Sequence, residues 1–553
     1  MYEVTDSALS RRFPIYTRAN VGEVFPDPVA PATESRLLWE SELGWRDAYV
    51  RMGAFEIDEF PPDEFCILGV AGGYTYLNAS VMRLFGERAP GLSWQIMDQQ
   101  FFGAQPGIPD YDMQPGDVRP DLTAKLGETF AWVFSVTELD QLDRLTEHRR
   151  RTIEIRQRRP DFEAMSEQEL SDRFVGLMAF HREFFAEHLF ATTLATVPVG
   201  VISAVATGVG RPDLILPLLA GFGHVDSAEP SYAMWELSRI PPDSDAFRDR
   251  FADFMIEFGS RGPNEWETRS PSWETEPTLA LVAIDRMRHA PDHQDPSLQN
   301  AKRAAARSEA AATLLAIVEA DPATHGQLAA AIKCSEAWLP ARERTKTNNI
   351  RYIHELRMSL RELGRRFVAR GVFDEVEDFG FVLDDERETL LGESPQQLTE
   401  RIRQRRARHQ QLSALIPPFV FVGDTTDPRS WPIRAGHGVD QLSVGDLIQG
   451  FAGCTGVAEG RARVILDARD PSALDPGDVL VAPLTDPSWT PLFVTAGAVI
   501  VDVGAALSHA IIVSRELGIP CVVSATDATR RIPDGALVRV DGSTGTVTLL
   551  ELP

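Results

Sequence analysis

The chain has 553 residues, of which 43% are apolar and 25% charged, and its formal net charge is -26. This is the composition of a globular protein, and the length calls for roughly two to four domains. The negative charge argues against a nucleic-acid or anionic-membrane partner, and the arginine clusters Arg149–Arg151 and Arg401–Arg408 read as solvated helix faces among acidic neighbours.

Met1 to Asp6 is acidic and polar, so it is not a secretion signal. The four cysteines (Cys66, Cys334, Cys454, Cys521) are scattered without metal spacing, which fits a reducing cytoplasm. Residues 1–115 give mixed signals: Cys66–Gly86 predicts a strand or two and then a helix that Asn78 or Ser80 caps. From about Pro120 to Leu415 the periodicity is mainly helical, clearest over Ser166–Phe185, Ser297–Glu319 and Thr347–Arg370. Ala191–Gly210 carries no charge and is long enough to test as a membrane span. Its Thr, Gly, Ala, Ser and Pro198 make it better read as buried helix and loop lining a cavity.

Ile416 opens a Pro/Gly/Asp-rich passage, and strands with short helices follow it. The expected fold is multidomain α+β: a large, mainly α-helical N-terminal region with a small mixed portion, then a compact α/β domain. The expected boundaries are 1–415, a linker at 416–440, and 441–553.

Within the last part, Ala498–Ala525 reads as a buried strand, a small-residue turn, Ser508-His509, a short helix and a second strand. A helix start offers free N–H groups and a positive dipole end, which bind phosphate and disfavour imidazolium. A neutral His509 there is a candidate nucleophile toward phosphorus; the plainer reading of a histidine in an apolar stretch is a hydrogen-bonded core residue.

Three motifs in order, Gly456–Ile465, Thr485–Phe493 and the run containing Ser508-His509, resemble the swivelling phosphohistidine domain. That domain occurs in phosphoenolpyruvate synthase, pyruvate phosphate dikinase, rifampin phosphotransferase and enzyme I of the sugar phosphotransferase system. The resemblance implies His509 as phosphate carrier, with Thr485, Gly504 and Ser508 forming its phosphate loop. Ala505 departs from the family, which usually has a second glycine there.

A second ordered set resembles the acceptor-substrate domain of rifampin phosphotransferase: Tyr16–Thr33, Gly72–Gly86, Leu218–Arg239, Phe258–Glu267, Ala341–Lys346 and Ser359–Phe373. Arg342 and Lys346, four apart, share a helical face and suit a phosphoryl group in transfer. As residues alone they read more readily as an exposed face paired with Glu343 and Glu355; the resemblance implies the catalytic role. Arg18, Arg261 and Glu265 are expected at the substrate pocket, Arg261 and Glu265 as an ion pair or orienting groups. Arg18 reads equally as a structural salt bridge. Ser260 stands where the family has a histidine, so any proton transfer served by that histidine needs another group here. His181 and His188 share a helix face without a third ligand, so no metal is expected. Trp235, Trp266 and Trp273 read as core or pocket-wall aromatics.

The resembled enzymes also have an ATP-grasp or phosphoenolpyruvate-binding domain, and neither that pattern nor a GxxxxGK[ST] loop is found here. The expectation is a cytoplasmic subunit of a dikinase-type phosphotransferase. A separate ATP-grasp subunit binds ATP and Mg2+ and loads His509, which passes phosphate to a hydroxyl, phenol or enol of a fairly apolar molecule. A phosphocarrier serving another protein and a non-catalytic ligand-binding homologue are the alternative readings.

Overall fold

The computed structural model describes residues 6–102, 107–110, 112–223, 225–424, 427–434, 441–466, 474–485, 489–504 and 508–553. Near the N-terminus three strands, β1 (Ile15–Thr17), β2 (Leu68–Ala71) and β3 (Tyr74–Asn78), are joined by β4 (Val420–Val422) in an antiparallel sheet of order β2-β3-β1-β4. The helix after β3, Ala79–Arg88, begins as its sequence predicts: Asn78 Oδ1 accepts the Val81 N–H at 3.0 Å.

Strand β4 revises the expected linker at 416–440. Phe421 lies opposite Tyr16, with ring centroids 5.5 Å apart, and Trp431 packs on Tyr74 at 6.0 Å. Leu415 and Ile433 form a further bridge, so residues through Arg434 belong to the first unit, and 435–440 lie outside the described residues. Turn-rich composition marked this passage as a connection, but its few aromatic residues are enough to fasten it to the sheet.

Helices make up most of the first unit. Trp39–Met52 lies against His181–Leu194 so closely that a Cβ on Gly44 would stand 2.7 Å from the Arg182 carbonyl oxygen. Through the centre runs one helix, Pro322–Ala369, of 48 residues. Asp321 caps it by accepting the Ala323 and Thr324 N–H groups at 3.1 and 3.3 Å, and Pro322 takes the first position, where no donor is needed. This helix absorbs both the predicted Thr347–Arg370 segment and the Arg342–Lys346 turn; Pro340 lies inside it without ending it.

Ala191–Gly210 differs from the buried wall expected of it. It forms the end of one helix and all of the next, Thr196–Gly208, whose Pro198, Ile202 and Ala206 are buried while Gly200, Ala204, Thr207 and Gly208 are exposed. The helical run Glu167–Gly208 holds an 18-residue window of mean hydropathy 1.9, of which 44% is buried inside the protein. By length and composition alone, one helical stretch among the described residues is apolar enough to cross a membrane.

The second unit is one eight-stranded sheet: β5 (Leu447–Gln449), β6 (Phe451–Cys454), β7 (Val457–Val464), β8 (Val479–Ala482), β9 (Ala498–Val501), β10 (Cys521–Val523), β11 (Leu537–Asp541) and β12 (Thr546–Glu551). Its order is β5-β12-β11-β7-β8-β9-β10-β6, with β7 to β10 parallel. Only Gly450 separates β5 from β6 at the two ends of that order, so the sheet curls back on itself. Alternation with period two divides its strands between two cores. Val479, Val481, Ala498, Ile500 and Val522 face one core; Leu480, Ala482, Val499, Val501, Cys521 and Val523 face the other, where the helix His509–Leu517 packs.

The two units touch. Val494 of the second is buried in an apolar cluster with Trp235, Phe254 and Trp273 of the first. Arg286 donates to the Leu474 carbonyl, and a Cβ on Gly518 (φ +69) would meet the Arg303 guanidinium at 2.8 Å.

Candidate active site

Strand β9 ends at Val501, and His509 opens the helix that follows, at the carboxyl end of the parallel strands. Helix His509–Leu517 sits on the sheet through Ala510, Ile511 and Val513, and Gly518 ends it in a left-handed turn. Ser508 is its cap residue in extended conformation, but the side chain makes no capping bond; its buried Oγ has no hydrogen-bond partner among the described residues. Gly504 runs so close to β10 that a Cβ would stand 2.9 Å from Val523 Cβ and 3.1 Å from Ser508 Oγ. Ala505, the departure noted in sequence, lies outside the described residues, as do Asp486, Pro487 and Ser488.

The imidazole is held on two sides. Thr485 Oγ1 lies 3.1 Å from Nδ1, and Phe493 meets the ring edge-on with centroids 5.8 Å apart.

Across the joint, the first unit presents a group of charges. Arg342 and Lys346 project from the long helix, and Arg261 and Glu265 from the loop after helix Asp245–Phe258. Arg261 Nε is 3.0 Å from Glu265 Oε2, Lys346 Nζ is 4.0 Å from Glu265 Oε1, and Arg342 Nη1 is 3.0 Å from Glu343 Oε1. Glu355 is committed elsewhere, to Arg159 and Arg173. Burial, followed by the charges of Lys346, Arg261 and Arg342, holds the His509 pKa well below its ordinary value. The ring is therefore neutral, as the sequence suggested, but desolvation and three facing cations are the causes, where the helix dipole was expected. Burial also lowers the Lys346 pKa, against the pull of Glu265 and Glu343.

Two further residues enter the site that sequence reasoning did not assign to it. Glu23, in the short helix Val21–Val24, accepts the His509 backbone N–H at Oε2, 3.3 Å away. Burial raises its pKa to about 7 against the opposing pull of that N–H, Lys346 and Arg342. His188 lies beside the cations: its Nδ1 is 3.1 Å from Thr345 Oγ1, which donates to the Arg342 carbonyl at 2.8 Å. The Thr345 proton is thus used, Nδ1–H of His188 donates to that hydroxyl, and the lone pair falls on Nε2. Trp266 packs beside the His188 ring, centroids 5.7 Å apart. A four-residue helix is too short for periodicity to reveal, and a lone histidine on an apolar face carries no spacing signal, so neither role was visible in sequence.

Other expected residues lie apart. Arg18 donates to the carbonyls of Thr75, Phe25 and Pro26 at 2.6, 2.7 and 3.2 Å and lies over the Tyr74 ring at 5.1 Å. It braces the segment that follows Glu23; it was expected at the substrate pocket or in a structural salt bridge. Trp235 and Trp273 belong to the apolar joint between the units, and Ser260 Oγ is buried without a hydrogen-bond partner among the described residues. His181 bonds Ser41 Oγ at 2.9 Å, apart from His188; no group of three His, Cys, Asp or Glu among the described residues is placed to hold a metal.

A nucleophilic nitrogen facing three cations, with carboxyl groups between them, is an arrangement that accepts a dianionic group and releases it to a nearby oxygen. The comparisons bear on both sides of the joint. Residues 474–545, which include Thr485, Gly504, Ser508 and His509, match the family described as PEP-utilising enzyme, mobile domain. Residues 188–343, which include His188, Arg261, Glu265 and Arg342, match the rifampicin phosphotransferase fourth domain. An uncharacterized protein of Mycobacterium tuberculosis is 33% identical over 320 residues, 57% of this chain and 33% of that protein. A rifampicin phosphotransferase of Streptomyces sviceus is 31% identical over 322 residues, 57% of this chain and 36% of its own length. The prodigiosin synthesizing transferase PigC of Serratia marcescens is 33% identical over 316 residues, 56% of this chain and 34% of that protein. The matched stretch thus spans about a third of the length of these relatives. The part that bears His509 thus resembles the PEP-utilising mobile domain, and the helical part that bears Arg261 and Arg342 resembles the fourth domain of rifampicin phosphotransferase.

Proposed function

We propose that the chain is the carrier-and-acceptor part of a dikinase-type phosphotransferase acting in the cytoplasm. His509 takes a phosphoryl group and delivers it to a hydroxyl, phenol or enol oxygen of a fairly apolar small molecule held by the helical unit. The observation supporting this most strongly is the convergence of Arg261, Arg342 and Lys346 on a neutral His509 across the joint. Two relatives named for rifampicin and for prodigiosin synthesis favour a small-molecule acceptor over a protein.

In the first half-reaction the mobile domain visits a nucleotide site, on this reading that of a separate ATP-grasp subunit holding ATP and Mg2+. With Nδ1–H donating to Thr485 Oγ1 the lone pair lies on Nε2, the attacking nitrogen on this reading. A bond forms from Nε2 to phosphorus, and the phosphorus–oxygen bond breaks with its electron pair on the departing oxygen. In the second half-reaction the domain docks as described above. The acceptor oxygen bonds to phosphorus, the P–Nε2 bond breaks, and its electron pair returns to the ring. Arg342 and Lys346 offset charge on the phosphoryl oxygens, while Arg261, paired with Glu265, borders the same space.

The test follows label into the protein. Incubated with radiolabelled ATP and an ATP-grasp subunit, or with phosphoramidate as a chemical donor, the wild type should gain an acid-labile, base-stable phosphate that His509→Ala lacks. Equal labelling of His509→Ala would overturn the reading.

A further inference from the structure

Transfer to an oxygen that carries a hydrogen requires somewhere for the proton to go. The family's histidine position is Ser260 here, a residue that does not accept a proton near neutral pH. His188 carries a lone pair on Nε2, but burial and the nearby Arg342 and Lys346 lower its pKa to about 3, which leaves it a feeble base. Glu23 differs in both place and charge. It belongs to the acceptor-side unit and touches the first backbone N–H of the carrier helix, so it meets His509 only when the mobile domain is docked.

The charges around it give it a reason to take a proton. Arg261, Arg342 and Lys346 face Glu265, Glu343 and Glu23, three cations and three carboxyl groups, so the site is balanced before phosphate arrives. A phosphoryl dianion upsets that balance, and protonating one carboxyl restores part of it. Glu265 and Glu343 each have a close cationic partner, Arg261 and Arg342. Glu23 has no ion pair among the described residues, and burial already raises its pKa to about 7. The groups facing it are the His509 backbone N–H from the mobile domain and Lys346 and Arg342 from the long helix.

We infer that Glu23 is the proton acceptor of the second half-reaction, taking the hydrogen of the acceptor O–H as phosphorus passes from His509 Nε2 to that oxygen. The P–O bond forms from the oxygen's electron pair, the P–N pair returns to the ring, and the proton rests on the Glu23 carboxyl. After undocking, the proton is exchanged with solvent. This rests on His509 being the carrier.

The experiment loads the full-length protein with phosphoramidate and follows loss of phosphohistidine by 31P NMR, in water alone and with millimolar phenol, from acidic to alkaline pH. Phosphohistidine left to itself discharges faster as pH falls, because protonating the ring improves the leaving group. A required base gives the opposite trend: the wild-type rate should rise with pH through a midpoint near the Glu23 value of about 7. Glu23→Gln should load normally, melt like the wild type, discharge roughly 100- to 10,000-fold more slowly and lose the rise with pH. Glu23→Asp should recover part of both. Discharge of Glu23→Gln at the wild-type rate with the same profile, or a wild-type rate that only falls with pH, would overturn the assignment. Failure of the wild type to load would count instead against His509 as carrier.

Discussion

Thr485 Oγ1 lies 3.1 Å from Nδ1 of His509, joining the imidazole to its own domain. The contact orients the ring, and with Nδ1–H as the donor it leaves the lone pair on Nε2. A hydrogen bond of this kind contributes about 1 kcal/mol, so Thr485→Val should slow loading and discharge about fivefold to tenfold. Thr485→Ser should keep most of the rate. Nitrogen NMR of the ring would report the cause, with the tautomer ratio of His509 shifting in Thr485→Val and staying put in Thr485→Ser. Unchanged rates and tautomers in Thr485→Val would make the contact incidental.

On the proposed mechanism Arg342 and Lys346 serve the second half-reaction only. Methionine at either position removes a cation while keeping much of the apolar stem, and should cost roughly 100- to 1,000-fold in discharge of phosphohistidine to phenol. Loading from phosphoramidate with the mobile domain undocked should be unchanged, so a variant that loads poorly points to misfolding. Lys346→Arg should rescue incompletely, because a planar guanidinium does not reproduce a compact ammonium 4.0 Å from Glu265.

Much of this arrangement is legible in the residues. The parallel strands announce themselves as short apolar runs, Asn78 caps the helix it was expected to cap, and His509 stands at a strand-to-helix turn. What pattern reasoning lacks is the meeting of distant segments. Glu23 and His509 lie 486 positions apart in the chain, and no local rule brings them within 3.3 Å. Residues 416–434 fail for a related reason: proline and glycine signal a turn, but Phe421 stacking on Tyr16 decides where that turn is held. Helix Pro322–Ala369 runs through Pro340 because packing along its length outweighs one lost hydrogen bond.

Burial of His181 makes stability depend on pH on the acid side. His181 donates from Nε2 to Ser41 Oγ, whose own proton goes to the Leu37 carbonyl, and its buried Nδ1 has no hydrogen-bond partner among the described residues. Burial lowers its pKa to about 3 from its ordinary 6.5, so the unfolded chain binds the proton more tightly than the folded one. Its contribution is therefore complete above pH 6.5 and is lost as pH falls from there toward about 3, at up to ~1.4 kcal/mol per pH unit. His181→Phe keeps the ring volume and removes the titration. Its melting temperature, followed by calorimetry from about pH 7.5 to about pH 4.5, should fall less steeply than that of the wild type. Parallel curves would mean that His181 is protonated without cost.

Docking of the two units rests on apolar contact as well as on charge. Val494 is 5% exposed and sits among Trp235, Phe254 and Trp273, on the opposite side of the joint. Val494→Asp places a carboxylate among aromatic rings, a desolvation cost of several kcal/mol that undocking avoids. The variant should melt as two intact units, load from phosphoramidate at the wild-type rate, and scatter X-rays with a larger radius of gyration. Its phosphohistidine should then discharge like a solvent-exposed one, faster at low pH and insensitive to Glu23→Gln in the double variant. That last comparison separates docking from catalysis. If Glu23 acts at the joint, removing the joint must remove its effect, and a Glu23→Gln penalty that persists in Val494→Asp would place its action elsewhere.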